Sequence, residues 1–155
     1  MPDTDTSFLG KGMKFPPQIN PATGRFVVSG EAQSVRESIY LILMTQVTER
    51  PLRPDFGSNI MSYTFMDQNA SRLNMVTRTI KDQILNQEPR VSDVRITLDS
   101  GSQRGVLLFN IDYYLQGINT RDNLVFPFYL NAAAESQEEG EPESYEPEAV
   151  EEIGN

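Results

Sequence analysis

The 155-residue sequence contains neither cysteine nor histidine. Without cysteine there are no disulfides and no thiolate-held metals, and without histidine the commonest general base and metal ligand is gone. Ser–His and Cys–His nucleophile pairs are therefore excluded, and a phosphate-cradling GxxxxGK[ST] motif is absent as well. No run approaches the roughly 20 apolar residues that span a bilayer. Residues 1–14 lack the apolar core of a secretory signal, so synthesis and folding are expected in the cytoplasm, with no membrane insertion. Clustered basic residues of the kind that bind nucleic acid are missing too. The formal net charge of −9 is unevenly spread: residues 135–155 carry nine glutamates and no lysine or arginine, so the remaining thirteen acidic residues match all thirteen basic ones. The body of the chain is formally neutral and its end is strongly acidic.

The length suits one domain with a core of its own. Residues 1–24 are rich in Pro, Gly, Asp and Thr, with Phe8, Leu9, Met13, Phe15 and Ile19 scattered among them. That composition predicts an extended arm docked through its apolar residues, with a turn at residues 20–24 and a short strand over 25–28. Ser29-Gly30-Glu31 predicts a helix start, Ser29 being a capping residue and Glu31 suiting the positive end. Val35, Ile39, Ile42 and Val47 then form a helical apolar face. A second helix is predicted from about residue 69 to 87, with Leu73, Val76, Ile80 and Ile84 on one side and Pro89 as its stop.

Three strands follow. Val94, Ile96 and Leu98 alternate with polar neighbours, residues 100–105 read as a hairpin loop, and Phe109, Ile111, Tyr113 and Leu115 share one face of a central strand. Residues 124–130 read as a third strand, and Pro127 confines it to an edge. The expected architecture is α+β: two main helices on a small antiparallel sheet of about three strands over residues 25–131, with the arm before it. Residues 132–155 bury too little to offset their conformational entropy and read as a disordered acidic tail, although Tyr145, Val150 and Ile153 leave room for a short docking motif.

Between the helices lies Glu49-Arg50-Pro51-Leu52-Arg53-Pro54-Asp55-Phe56-Gly57, four charges interspersed with two prolines and closed by an aromatic–glycine pair. The prolines predict a stiff, extended linker that holds Arg50 and Arg53 at fixed spacing, and Gly57 permits a turn. Glu88-Pro89-Arg90 sits in the same relation to the second helix. Arginines so placed offer planar forks for carboxylates or carbonyls. They would either dock other chains or tie the two helices together, and spacing does not separate these readings. Glu37, Glu49, Asp55 and Glu88 are formal partners for a glycosidase pair, but each also reads as a surface charge or an arginine partner. No enzyme activity, metal or cofactor is expected.

Gly12-Met13-Lys14-Phe15-Pro16 ahead of Gly24-Arg25, the run from Thr48 to Gly57, and Glu88-Pro89-Arg90 together resemble the baseplate wedge family of contractile injection machines. That family includes the small wedge subunit of contractile-tailed phages, often labelled lysozyme-like, and its type VI secretion and extracellular injection counterparts. The central run is similar to the family's GER…RP[DE]FG signature, with Thr48 where glycine is usual. The resemblance spans about residues 10–130 and leaves the acidic end outside. It implies a structural subunit at the junction of wedge and sheath, present in a phage tail or injection particle. Glu88, Pro89 and Arg90 would meet the core bundle of larger wedge proteins, with Glu49, Arg50, Arg53, Pro54, Asp55, Phe56 and Gly57 as a second contact. An edge carrying Leu124, Phe126, Phe128 and Leu130 would exchange strands with the sheath protein. Inner tube or spike-hub proteins are further implied partners. Some relatives of the fold are small regulatory adaptors, which keeps a stand-alone adaptor binding one soluble partner as the alternative.

Overall fold

Side chains that alternate between buried and exposed over the last third of the described chain build the sheet on which the helices pack. The computed structural model describes residues 9–65, 69–100, 105–118 and 120–130, so the expected acidic tail lies outside the described residues. Strands β3 (Val91–Ser100), β4 (Val106–Leu115) and β5 (Arg121–Tyr129) form an antiparallel meander in the order β3-β4-β5. The register sets Ile96 opposite Ile111 and Phe109 opposite Phe126. Phe109, Ile111, Tyr113 and Leu115 are all buried on one face, joined there by Val94, Leu124, Phe126 and Phe128. Tyr113 is fully buried and its hydroxyl donates to Asp122 Oδ2 at 2.7 Å, so its polar end is satisfied beside an apolar ring. β5 starts three residues before the expected position because Arg121, Asp122 and Asn123 also pair with β4, an extension that side-chain polarity does not announce.

Helix α2 (Ala70–Gln87) begins where the side chain of Asn69 accepts from the Arg72 N–H at 2.9 Å. Val76, Ile80 and Ile84 are buried on one side of it, each contributing about 1.5–3 kcal/mol by removal from water. Helix α1 (Glu31–Met44) buries Val35, Ile39, Ile42 and Leu43, and its Tyr40 ring packs edge-on against Phe126 of β5. Two expectations about α1 change. Its N-cap is Gly30, with no side-chain cap, because the Ser29 hydroxyl is spent on Glu37. The helix ends at Met44, since Thr45 takes an extended conformation, and Val47 belongs to the loop beyond. A single 3-10 turn (Ile60–Tyr63) lies between the helices and buries Ile60.

The described residues before α1 form a hairpin and not an extended arm. Strands β1 (Gly12–Met13) and β2 (Val28–Ser29) pair antiparallel, and an Ile19–Phe26 bridge continues the hairpin toward a turn at residues 20–24. The expected boundary between residues 24 and 25 falls inside this hairpin. Alternation divides its residues: the Gly12–Ser29 pair faces α1 and the Met13–Val28 pair faces out. Contact is close enough that a Cβ on Gly12 would sit 2.9 Å from Ser34 Oγ. Glu37 of α1 pins both strands. Its Oε2 accepts from Ser29 Oγ at 2.7 Å and from the Phe15 N–H at 3.1 Å, and Oε1 accepts from Gln33 at 3.1 Å. Burial pushes the Glu37 carboxyl up, but these donors and the nearby Lys14 charge outweigh it and hold the carboxyl below its ordinary value.

Replacing Glu37 by Ala should release the hairpin from α1 while the sheet and α2 persist. Amide exchange at residues 12–15 and 27–29 should accelerate, with a loss of about 1–3 kcal/mol from the unsatisfied donors. The wild-type contribution of Glu37 is present at neutral pH and disappears as the carboxyl protonates below its ordinary range, so acid should loosen the hairpin too.

Candidate functional site

Residues 45–58 do not form the expected extended linker; they close into a tight loop. The Thr45 carbonyl accepts from the Ser58 N–H at 2.8 Å, the Val47 N–H donates to the Ser58 carbonyl at 3.2 Å, and the Thr48 N–H reaches the Pro54 carbonyl at 2.8 Å. Glu49 turns back to accept from the Gln46 N–H at 2.9 Å. Proline does stiffen the segment, but as part of successive turns: the Arg53 N–H bonds the Arg50 carbonyl at 3.1 Å, and the Phe56 N–H bonds the Arg53 carbonyl at 3.1 Å. Both arginines fold over one ring, their guanidinium carbons 4.4 and 5.5 Å from the centroid of Phe56. Gly57 is indispensable in this loop. Its φ is +114°, and a Cβ there would overlap the Thr45 carbonyl oxygen. Thr48 also has a positive φ, +76°, an unfavourable conformation for a β-branched residue.

Glu88, Pro89 and Arg90 lie at the exit of α2. Glu88 is only 3 % exposed, which an unpartnered carboxylate could not sustain. Arg90 meets it fork to fork, Nε to Oε1 and Nη2 to Oε2, both at 2.7 Å. The guanidinium then reaches two further elements, with Nη1 donating to the Leu9 carbonyl at 3.1 Å and to Ser34 Oγ of α1 at 3.3 Å. Burial pushes the Glu88 carboxyl up; hydrogen bonds from Arg90 and Ser38 and the guanidinium charge overcome that and leave it below its ordinary value. The triplet therefore ties α2 to α1 and to the chain before the hairpin, with Pro89 and about a quarter of the Arg90 side chain left on the surface.

One residue outside the sequence expectations joins the two segments. Gln87 Nε2 donates to the Gly57 carbonyl at 2.8 Å, and Gln87 Oε1 accepts the Gly57 N–H at 2.7 Å. This paired amide contact sets the loop directly beside Glu88-Pro89-Arg90, so the two conspicuous motifs form one surface. Leu52, also unforeseen as a contact, stands out from it at 96 % exposure, beside a shallow cleft of about 480 Å³ lined by Thr45, Glu49, Arg50, Pro51 and Arg53. The signal was available: a leucine between two prolines cannot turn into a helix or sheet core.

The third group, on β5, faces elsewhere. Leu124, Phe126 and Phe128 are buried, and Leu130 packs against the core, so their side chains are not presented at the edge. Their amides are engaged as well. The Leu130 N–H bonds the Gly105 carbonyl at 2.8 Å and the Leu115 N–H bonds the Thr120 carbonyl at 3.1 Å, which fixes the even-numbered residues as those bonded to β4. Among the described residues, the unpaired rim is made by Arg121, Asn123, Val125, Pro127 and Tyr129. Pro127 thus costs no rung to β4; the donor it lacks is missing from the rim. Val125 and Tyr129 are exposed on the outward face.

Among known proteins, the family model described as Baseplate wedge protein gp25 matches residues 29–120. A crystal structure of a Geobacter sulfurreducens protein, provisionally named a tail lysozyme, is similar at 35% identity, with 70% of this chain and 99% of that chain covered and a TM-score of 0.63. A chain of the anti-feeding prophage baseplate shares the fold at 22% identity, covering 84% of this chain and 94% of that one with a TM-score of 0.54. A chain of the type VI secretion baseplate complex does so at 20% identity, covering 63% and 91% with a TM-score of 0.52. A search of curated proteins found no match.

Three substitutions test the site's energetics. Arg90→Ala strands a buried carboxylate and should cost about 3 kcal/mol in urea unfolding at pH 7. Adding Glu88→Gln should recover part of that loss, and the single-variant penalty should shrink as pH falls, because burial without the guanidinium raises the Glu88 carboxyl and lets it take up its proton earlier than in the wild type. Thr48→Gly relieves the positive φ and should raise stability by about 1 kcal/mol after glycine's entropy is counted.

Proposed function

This chain belongs to the baseplate wedge protein gp25 family, and from that premise we propose that it joins the wedge core to the first sheath ring and templates sheath assembly. The observation that carries the reading is the Gln87–Gly57 contact, which places the signature loop beside Glu88-Pro89-Arg90. In this assignment the surface meets the core bundle of larger wedge proteins. Leu52 is its apolar anchor, and Arg50 and Arg53, held on Phe56, are its preorganised charges. Arg90 acts chiefly by holding that surface in place and touches a partner only through its exposed quarter. The rim of β5 takes a strand of the sheath protein by augmentation, with Val125 and Tyr129 supplying side-chain contacts. Inner tube or spike-hub proteins are further neighbours in such a baseplate.

The proposal assigns no catalysis. A glycosidase needs one carboxyl with a raised pKa to act as acid. Glu37 and Glu88 are instead held below the ordinary value by donors that fill their oxygens, and Glu49 is engaged by a backbone amide.

Two variants separate the two halves of the role. Leu52→Asp removes a side chain that packs on nothing, so stability should stay within about 0.5 kcal/mol while incorporation into the wedge is lost. Val125→Pro removes an outward amide without breaking a rung to β4; wedges should form but fail to recruit sheath. Normal numbers of sheathed particles with both variants would refute the assignment, and electron microscopy of assembly products reads both outcomes.

A further inference from the structure

The hairpin before α1 presents an apolar surface that nothing in the described chain covers. Met13, Ile19, Phe26 and Val28 are each more than half exposed. They are neighbours, with Met13 registered against Val28 and Ile19 bridged to Phe26. Every charged residue between positions 9 and 30 is basic, namely Lys11, Lys14 and Arg25. This patch is therefore apolar and positive, on a body whose charges balance only when these three cations are counted. Its complement is present in the same chain: residues 135–155 hold nine glutamates, no basic residue, and the apolar side chains Tyr145, Val150 and Ile153.

We propose that the acidic C-terminal segment of this chain docks on its own N-terminal hairpin, its glutamates against Lys11, Lys14 and Arg25 and its apolar residues against Met13, Ile19, Phe26 and Val28. Reach is sufficient. The described chain ends at Leu130, and the residues from there to Tyr145 span about 50 Å at roughly 3.3–3.6 Å each. A body of this size has a radius of gyration of about 14 Å. Tethering also supplies an effective concentration on the order of millimolar, which offsets the weakness of exposed ion pairs, about 0.2–1 kcal/mol each. The docked segment shields the patch in the free subunit and gives way when another chain takes the hairpin. The inference makes no use of the wedge assignment and is tested on the isolated chain, so either can fail without the other.

The absence of cysteine makes the measurement direct. Ala149→Cys in the full chain provides a single thiol for a nitroxide label, and paramagnetic broadening of backbone amides locates its neighbours. Broadening should concentrate on residues 11–14 and 25–28 and fall at least about twofold when salt rises from 0.1 to 1 M, where the screening length drops from about 10 to 3 Å. Lys14→Glu with Arg25→Glu should weaken it at low salt, and the salt series reads the same interaction with no change to the hairpin. Broadening that is absent from the hairpin, centred on another surface, or insensitive to salt would overturn the proposal. So would broadening that persists when nitroxide-bearing chains without ¹⁵N are mixed with ¹⁵N chains without a nitroxide, which would make the occupant a second copy.

Discussion

The pairing of Glu88 with Arg90 is the interaction on which the arrangement of the other elements rests. A carboxylate as deeply enclosed as Glu88 is tolerable only with both oxygens engaged, and the guanidinium fork supplies two donors in the required plane. Because the same guanidinium continues to Leu9 and Ser34, one residue at the end of α2 registers α1 and the incoming chain against the sheet. Glu37 repeats the device a turn further along α1, collecting the hairpin instead. Residues 9–29 are thus tied down by two buried carboxylates in addition to their own strand pairing and the burial of Leu9.

The surfaces proposed for recognition are by-products of this internal wiring. The loop after α1 is closed by its own backbone, locked at Gly57, and aligned with the exit of α2 by the Gln87 amide. Its arginines are preorganised on Phe56, so a partner meets them with little side-chain freedom left to lose. The sheet offers a different kind of surface, a strand rim whose inward half is fully committed to β4 and the core.

Much of this was readable in the sequence because side-chain period carries it. Alternation at Phe109, Ile111, Tyr113 and Leu115 located the central strand, and the spacing of Val76, Ile80 and Ile84 located α2. What the sequence hid depends on partners distant along the chain. Prolines at 51 and 54 announce stiffness equally for an extended linker and for a string of turns; the hydrogen bonds from Ser58 to Thr45 and Val47 decide between them. Ser29 looked like a cap because its competitor, Glu37, is a helix turn and more away. Leu124, Phe126 and Phe128 were read as an interaction edge when the same alternation that marks them as a strand also turns them inward. The residues between them are the ones a partner strand can meet.

Pro127 gives that rim a direction. An incoming strand would find carbonyl acceptors along the whole of β5 but amide donors only to either side of the proline, with the longer uninterrupted stretch running from Arg121 to Val125. The seam would be firmly stitched at that end and frayed at Tyr129. A single imino acid would in this way make the two ends of such a joint unequal.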